Sequence, residues 1–434
     1  MAHPTRIRYG VLALLVLASC VSYVLRYLLS AAAPSLTQEF GLTAEHLSWV
    51  FAAFSVGYVV CQFPAGLIAD RFGARRAMTI AMLFWGVLTL ATAWIPADAS
   101  VGWVVGLLIV VRCLVGVAHA PLYPVTGATT QRWFPPGQWA LPNGLSSAGL
   151  TLGSAATAPL LIVLINVMGW RSAFVVLSTM AFVAAALWWL FIRDTPGAHP
   201  RVNEQEASLI TGERARRDDK RSPSRWRDVL RNRNVLLLTL SYFCMNFVFY
   251  QLFNWMFYYL VEIRQIEAQT ASYLNALQWI AAAIGATLGA IWCDRLSRRR
   301  GMQFGCRAPA VAGLVLSGVL ILFGAMAQTP WVMALVLSFA FFCHQGTEGA
   351  YWAAAIRAGG PQAGAACGVM NTGGNLVGVL NALLVPWLAG TFGWPVALGS
   401  GTVFALTGAA LWLAVQLDET PDASRVLESS QRTG

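Results

Sequence analysis

The chain has 434 residues, of which 57% are hydrophobic and only 11% charged, and its mean hydropathy is +0.60. A soluble domain is about half apolar and about a quarter charged, so this composition cannot cover a water-facing surface and excludes an ordinary soluble enzyme or binding module. The net charge of +10 raises nucleic-acid binding as a question, which the placement of the arginines answers below.

In chain order, apolar windows of about 20 residues, the length that crosses a bilayer core, fall at 10–33, 46–69, 76–96, 101–125, 142–166, 171–192, 234–260, 271–293, 306–327, 331–356, 364–389 and 394–416. Lipid offers no partners to backbone polar groups, so each window is expected as a helix. The expectation is an all-α membrane protein of twelve transmembrane helices in two pseudo-symmetric six-helix bundles, 1–192 and 234–418. A polar linker, 193–233, joins them, and a tail, 419–434, follows. The linker reads as partly helical around 203–217, with turn punctuation near Pro223.

Arginines gather on alternate loops. Arg6 and Arg8 precede the first window, Arg71, Arg75 and Arg76 follow the second, and Arg295, Arg298, Arg299 and Arg300 follow the eighth. The linker holds eleven Arg and Lys against seven Asp and Glu. The other loops carry little beyond Arg171 and Arg264. The positive-inside rule then places both termini and the linker in the cytoplasm. Topology thus accounts for the basic charge, and no nucleic-acid partner is expected. The first window is span-length, without the short core and cleavage pattern of a signal peptide. The eight cysteines stand singly with no C-x-x-C, so neither a disulfide framework nor a metal site is expected. No cofactor is expected either.

The halves repeat. "GWRSAF" at 169–174 matches "GWPVAL" at 393–398, and "ADRFGARR" at 69–76 matches "CDRLSRRRG" at 293–301. Internal repeats of this kind are a frequent design of secondary transporters, with the substrate site near mid-membrane between the repeats. Small residues every four positions in "AGLTLGSAATAPL" and "GGNLVGVLNALLVP" predict close helix packing, with a moving gate as the alternative use.

"GLIADRFGARR", with Gly66, Asp70, Arg71, Gly73, Arg75 and Arg76, resembles the loop signature of the major facilitator superfamily, and Asp294 stands in its degenerate second copy. The resemblance covers nearly the whole chain. It implies the major facilitator fold and a latch at this loop that differs in energy between conformations. The same arginines would also be required by orientation alone.

Within that superfamily, "SYVLRYLLSAAAPSLTQEFGLT", "RCLVGVAHAPLYP" followed by "RWFPPGQWA", "YFCMNFVFYQLFNWMFYYL", "GAYWAAA" and "NTGGNLVG" are similar to segments of the anion:cation symporter group. Two positions depart from it. Leu25 stands where bacterial members often carry aspartate, and His119 replaces a glutamate of the fourth helix. Both are acids that the group associates with proton coupling.

The resemblance and the residues together yield the candidate site. An arginine in mid-span is expensive and faces a wet cavity or a partner. Arg26 has no nearby carboxylate on its own helix, and its guanidinium suits a substrate carboxylate; pairing with an acid from another helix is the alternative. Arg112 either assists in binding or tunes His119, seven residues on. His119 is read as a proton carrier or as an interhelical hydrogen bonder. Glu348 is a rare intramembrane acid, with His344 four residues before it and Trp352 one turn beyond. It is read as titrating with His344, balancing an arginine, or capping an edge. Tyr23, Tyr27, Tyr58, Gln62, Tyr123, Tyr250, Asn254, Trp352, Asn371 and Asn375 complete the expected cavity wall, with packing between helices as the alternative for any one of them.

The expectation is a monomeric secondary transporter of a small organic anion in a bacterial inner membrane, driven by alternating access and possible coupling to protons. Arg26 and Arg112 would bind the cargo, and His119, Glu348 and His344 would carry the proton. An exporter of amphipathic or metal-chelating compounds, and a transporter-like sensor, are the alternatives. No nucleophile–base pair suggests an enzyme.

Overall fold

A computed structural model describes residues 3–210 and 226–417. The tail 419–434 and the stretch 211–225, with the Pro223 turn and the end of the expected linker helix, lie outside the described residues. The described residues form helices joined by short turns. They are α1 (Ile7–Phe40), α2 (Ala44–Phe72), α3 (Ala74–Ala93), α4 (Val101–His119), α5 (Leu122–Trp133), α6 (Ala140–Phe191), α7 (Trp226–Arg231), α8 (Arg233–Tyr258), α9 (Ala268–Arg300), α10 (Met302–Met326), α11 (Pro330–Gln345), α12 (Glu348–Gly359), α13 (Ala363–Phe392) and α14 (Trp394–Ala414).

Ten helical segments among them are long and apolar enough to cross a membrane, against twelve windows in the sequence. Two of the ten, Ala140–Phe191 and Pro330–Phe392, run 52 and 63 residues, far beyond the roughly 20 that one crossing takes. The first turns sharply at Gly169, whose φ of 77° and ψ of 162° are non-helical. Gly393 repeats this at φ 86° and ψ 163° between α13 and α14. A side chain at either would be strained in this region of backbone space, which is why the repeated "GW" begins with glycine.

Small residues let the helix backbones touch. A Cβ on Gly57 of α2 would meet the Cys113 carbonyl of α4, and one on Gly116 would meet the Phe54 carbonyl of α2. On α6, Gly149 and Gly153 face the Val16 and Cys20 carbonyls of α1. Close packing is what drives association where lipid is as apolar as the side chains. The outward surfaces are apolar, with Val163, Leu190, Val403 and Leu413 all exposed.

One face carries the termini. There Thr5 and the backbone of Arg8 bond Asn203 and Glu206 beyond α6, and Asn234 of α8 bonds Gln416 after α14. On this terminal face the two halves of the chain meet through a matched pair of carboxylates. Asp70, at the end of α2, accepts from the N–H groups of Gly364 and Ala365 at 3.0 and 2.9 Å, at the start of α13. Asp294, near the end of α9, accepts from Ala140 and Leu141, both at 2.9 Å, at the start of α6. Each acid caps a helix of the opposite half, satisfying donors that a helix start leaves open and complementing its dipole. Gly66 permits this, because a Cβ there would strike the Gly364 carbonyl. At the opposite face the polar contacts among the described residues stay within one half. Arg171 pairs with Glu39 and bonds the Ile95 carbonyl, and Arg264 bonds the carbonyls of Ala327 and Gln328. The structure is therefore closed at the terminal face.

Candidate substrate cavity

The hydrogen-bond ladder of the fourth window is interrupted between α4 and α5, where Pro121 has no N–H to donate. The tenth window is interrupted between α11 and α12, at Gly346 and Thr347. A histidine ends the first segment in one case and falls one residue short of its end in the other, and each is anchored to a neighbouring helix. His119 Nε2 lies 3.2 Å from the Ser22 carbonyl of α1, with Nδ1 2.8 Å from the Val115 carbonyl. His344 Nε2 lies 2.8 Å from the Met245 carbonyl of α8, with Nδ1 3.1 Å from Gln345 Oε1. Both rings are buried. The His119 ring also stacks on Trp85 at 4.8 Å between centroids.

Four residues beyond each histidine, Tyr123 and Glu348 open the second segments, and both line a cavity between the halves. Its empty space, open solvent at the mouth included, measures about 570 Å³. Besides these two, the wall includes Tyr23, Arg26, Tyr27, Tyr58, Tyr242, Asn246, Tyr250, Gln345, Asn371 and Asn375.

Arg26 stands near the middle of α1 in a cage of rings. Its guanidinium carbon lies 4.7 Å from the Phe54 centroid, 4.8 Å from Tyr58, 5.1 Å from Tyr23 and 5.9 Å from Tyr27. Such contacts hold a desolvated cation at about 0.5–2 kcal/mol each. Its Nη1 donates to Tyr23 Oη at 3.1 Å. No carboxylate among the described residues pairs with it; the ion pairs there are Arg132–Asp194 and Arg171–Glu39. The guanidinium thus retains donor capacity toward the cavity.

Glu348 faces it from the other half. Its Oε1 accepts from Tyr242 Oη and from Trp352 Nε1, both at 2.9 Å, while no described residue donates to Oε2. Trp352 is buried behind Glu348, its ring stacked on Tyr123 at 5.1 Å. Across the cavity floor, Tyr250 Oη donates to Asn375 Oδ1 at 2.8 Å, and Asn375 in turn donates to Asn371.

The expected site residues therefore separate. Arg26, Tyr23, Tyr27, Tyr58, Tyr123, Tyr250, Asn371, Asn375 and Glu348 share the cavity wall, and Trp352 supports it. Five residues expected at the site lie elsewhere or play other parts. Arg112 is buried behind Arg26, with Nη2 donating to the Arg26 carbonyl at 3.3 Å and its guanidinium 5.0 Å from the Phe54 ring. Gln62 is fully buried off the cavity with both amide atoms unpartnered, where α2 meets Gly368 of α13. Asn254 is exposed. His119 and His344 bond the carbonyls of adjacent helices rather than the cavity. Of the loop signature, Arg75 turns away, donating to the Trp189 carbonyl at 2.8 Å from Nη2, while Gly73 (φ 90°) gives space to Asp194. Arg71 rests on the adjacent Phe72 ring, and Arg76 is exposed, so of that set Asp70, Gly66 and Asp294 make the contacts between halves.

The sequence reading missed Tyr242, Asn246 and Gln345, together with Ser147, Leu150, Met245 and Phe249, all of which line the cavity. Tyr242, Asn246 and Tyr250 recur every four residues along α8, with Phe249 beside Tyr250, a polar and aromatic stripe that could have identified them. Among the described residues no cluster of His, Cys, Asp or Glu is arranged to hold a metal ion.

The model of the Major Facilitator Superfamily matches residues 15–380, and the chain belongs to that superfamily of membrane transporters. It is 29% identical over 394 residues, 89% of each chain, to the "Probable sulfoacetate transporter SauU" of Cupriavidus necator. It is 28% identical to the "Probable galactarate/D-glucarate transporter GudP" of Bacillus subtilis, covering 90% of this chain and 87% of that one. Among solved structures, the proton:xylose symporter XylE superimposes with a TM-score of 0.72 at 14% identity, covering 94% and 96% of the two chains. FucP, described in the outward conformation, does so with a TM-score of 0.68 at 16% identity, covering 96% and 100%.

Proposed function

We propose that this protein is a secondary transporter that carries a small organic anion, a sugar acid or related carboxylate, through the inner membrane of a bacterium. The single observation that carries this reading is Arg26, a mid-span cation with a ring cage and no carboxylate partner among the described residues, on the wall of a cavity between the halves. Burying a cargo carboxylate there is costly unless a cation meets it, and a planar guanidinium can meet both of its oxygens. Arg112 adds positive potential from behind. The amides of Asn371 and Asn375 and six of the chain's eleven tyrosines supply hydrogen bonds for a hydroxyl-rich body. The sulfoacetate, galactarate and glucarate named for the relatives support an organic-anion cargo; each of them carries two acid groups, so they leave the number of acids on this chain's cargo open.

In this reading the chain crosses twelve times, because each of the two overlong segments turns at an interruption or a glycine. The crossings form two six-helix bundles, 1–192 and 234–418, joined by a cytoplasmic linker, with both termini cytoplasmic and the protein acting as a monomer. The closed terminal face is then the cytoplasmic gate. Opening it breaks the four backbone hydrogen bonds of Asp70 and Asp294, so this pair is the latch whose energy differs between states. Proton coupling falls to Glu348, the acid that lines the cavity, while His119 and His344 pin the interrupted helices.

Uptake of labelled sugar acids into proteoliposomes tests this, with and without an imposed pH gradient. Uptake that saturates and is lost in Arg26→Ala supports it. Failure to take up any carboxylate, or full uptake by that variant, contradicts it.

A further inference from the structure

The charges around the cavity do not balance, and their imbalance bears on the cargo. Arg26 lines the wall and Arg112 backs it, both from the N-terminal half, while Glu348 is the acid on the facing wall. When Glu348 is ionised, two cations against one acid leave a single positive charge for the cargo to neutralise. The arrangement is also directional. The positive end is a guanidinium with open donors. The far end is a carboxylate whose Oε1 is held by two donors, Tyr242 Oη and Trp352 Nε1 at 2.9 Å each, leaving Oε2 as the acceptor toward the cavity. Fixing one oxygen with two donors orients a carboxylate to accept at the other.

Resting on the sugar-acid reading, we infer that the site selects a monoanion that is anionic at one end and a hydrogen-bond donor, hydroxyl or ammonium, at the other. The carboxylate or sulfonate end meets Arg26 and the donor end meets Glu348. A cargo with a second carboxylate at the far end sets two anions against each other at short range, where like charges repel. Tyr123 occupies the place on α5 that Glu348 occupies on α12, each four residues past its histidine, so the acid is an addition that the repeat does not demand. It has no arginine partner to justify it as a structural pair.

The test compares gluconate with glucarate, two six-carbon acids that differ only in whether the far carbon is a hydroxymethyl or a carboxylate. Binding of each is measured by calorimetry to the full-length protein in detergent at pH 7.5. The expected result is that gluconate binds at least tenfold more tightly in the wild type, and that Glu348→Gln brings the two within about twofold. Equal or tighter binding of glucarate to the wild type overturns the inference, and that arm needs no variant to fold. Arg26→Ala separates the two levels: it is expected to lose both ligands. If it retains both, or if the wild type binds neither, the sugar-acid reading fails and this inference with it. If it loses both while the wild type prefers no ligand, only the inference fails.

Discussion

The two halves share a skeleton and differ at the cavity. Asp70 and Asp294 cap opposite helices in the same way, Gly169 and Gly393 turn the chain with nearly the same angles, and His119 and His344 reach across to the carbonyls of Ser22 and Met245. Using those two carbonyls as the register, the residues four positions onward are Arg26 on α1 and Phe249 on α8. The residues four positions beyond the histidines are Tyr123 and Glu348. All four line the cavity. The repeat therefore conserves what bends and locks the molecule and diverges where cargo is met. Symmetric parts must exchange roles as the cavity opens to alternate sides, whereas an asymmetric ligand requires an asymmetric site.

That contrast can be broken from the cavity first. Arg26→Ala is expected to lower uptake of a carboxylate cargo by about thirtyfold or more, since losing a buried charge partner costs about 2–5 kcal/mol. The matching Phe249→Ala, measured in the same assay, is expected to cost far less, because it removes packing rather than a charge. Equal losses would mean the divergence carries no chemistry.

The skeleton should respond evenly. Gly169→Ala and Gly393→Ala each force a side chain into strained backbone, worth about 1–3 kcal/mol, and are expected to lower the melting temperature in detergent by similar amounts. A large drop in one alone would argue against equivalent turns. Asp70→Asn and Asp294→Asn retain an acceptor but lose the charge that complements a helix start, about 0.3–1 kcal/mol. Each is expected to raise the labelling rate of a cysteine placed on the terminal face by a few-fold. The smallest effect belongs to Tyr242→Phe, which removes one of two donors from Glu348 Oε1. It is expected to change affinity for a monoacid by about twofold.

Much of this was legible in the sequence, for identifiable reasons. The length of apolar windows, the arginine bias and the "GLIADRFGARR" loop depend on the bilayer and on local chain chemistry, so they can be read without knowing neighbours. Arg26 was legible because a cation in mid-span needs an explanation. The histidines were legible only in part: a bond between helices was one of two readings for His119, and nothing in the sequence chose it. Helical spacing places Arg112 and His119 on one face of α4 but does not say that this face meets α1 and Trp85 instead of the cavity. Gln62 and Asn254 failed for the same reason: their polarity was visible, but the packing partner was not. Glu348 could be named, while its companions Tyr242 and Gln345 could not, since they join it only when α8, α11 and α12 converge.

The most direct measurement is the ratio of affinities for gluconate and glucose, equal in size but differing in charge, in the wild type and in Arg26→Ala. The account predicts that the wild type favours gluconate by a hundredfold or more and that the ratio falls to near one in the variant. A ratio that is already near one in the wild type, or that survives removal of the guanidinium, would contradict it.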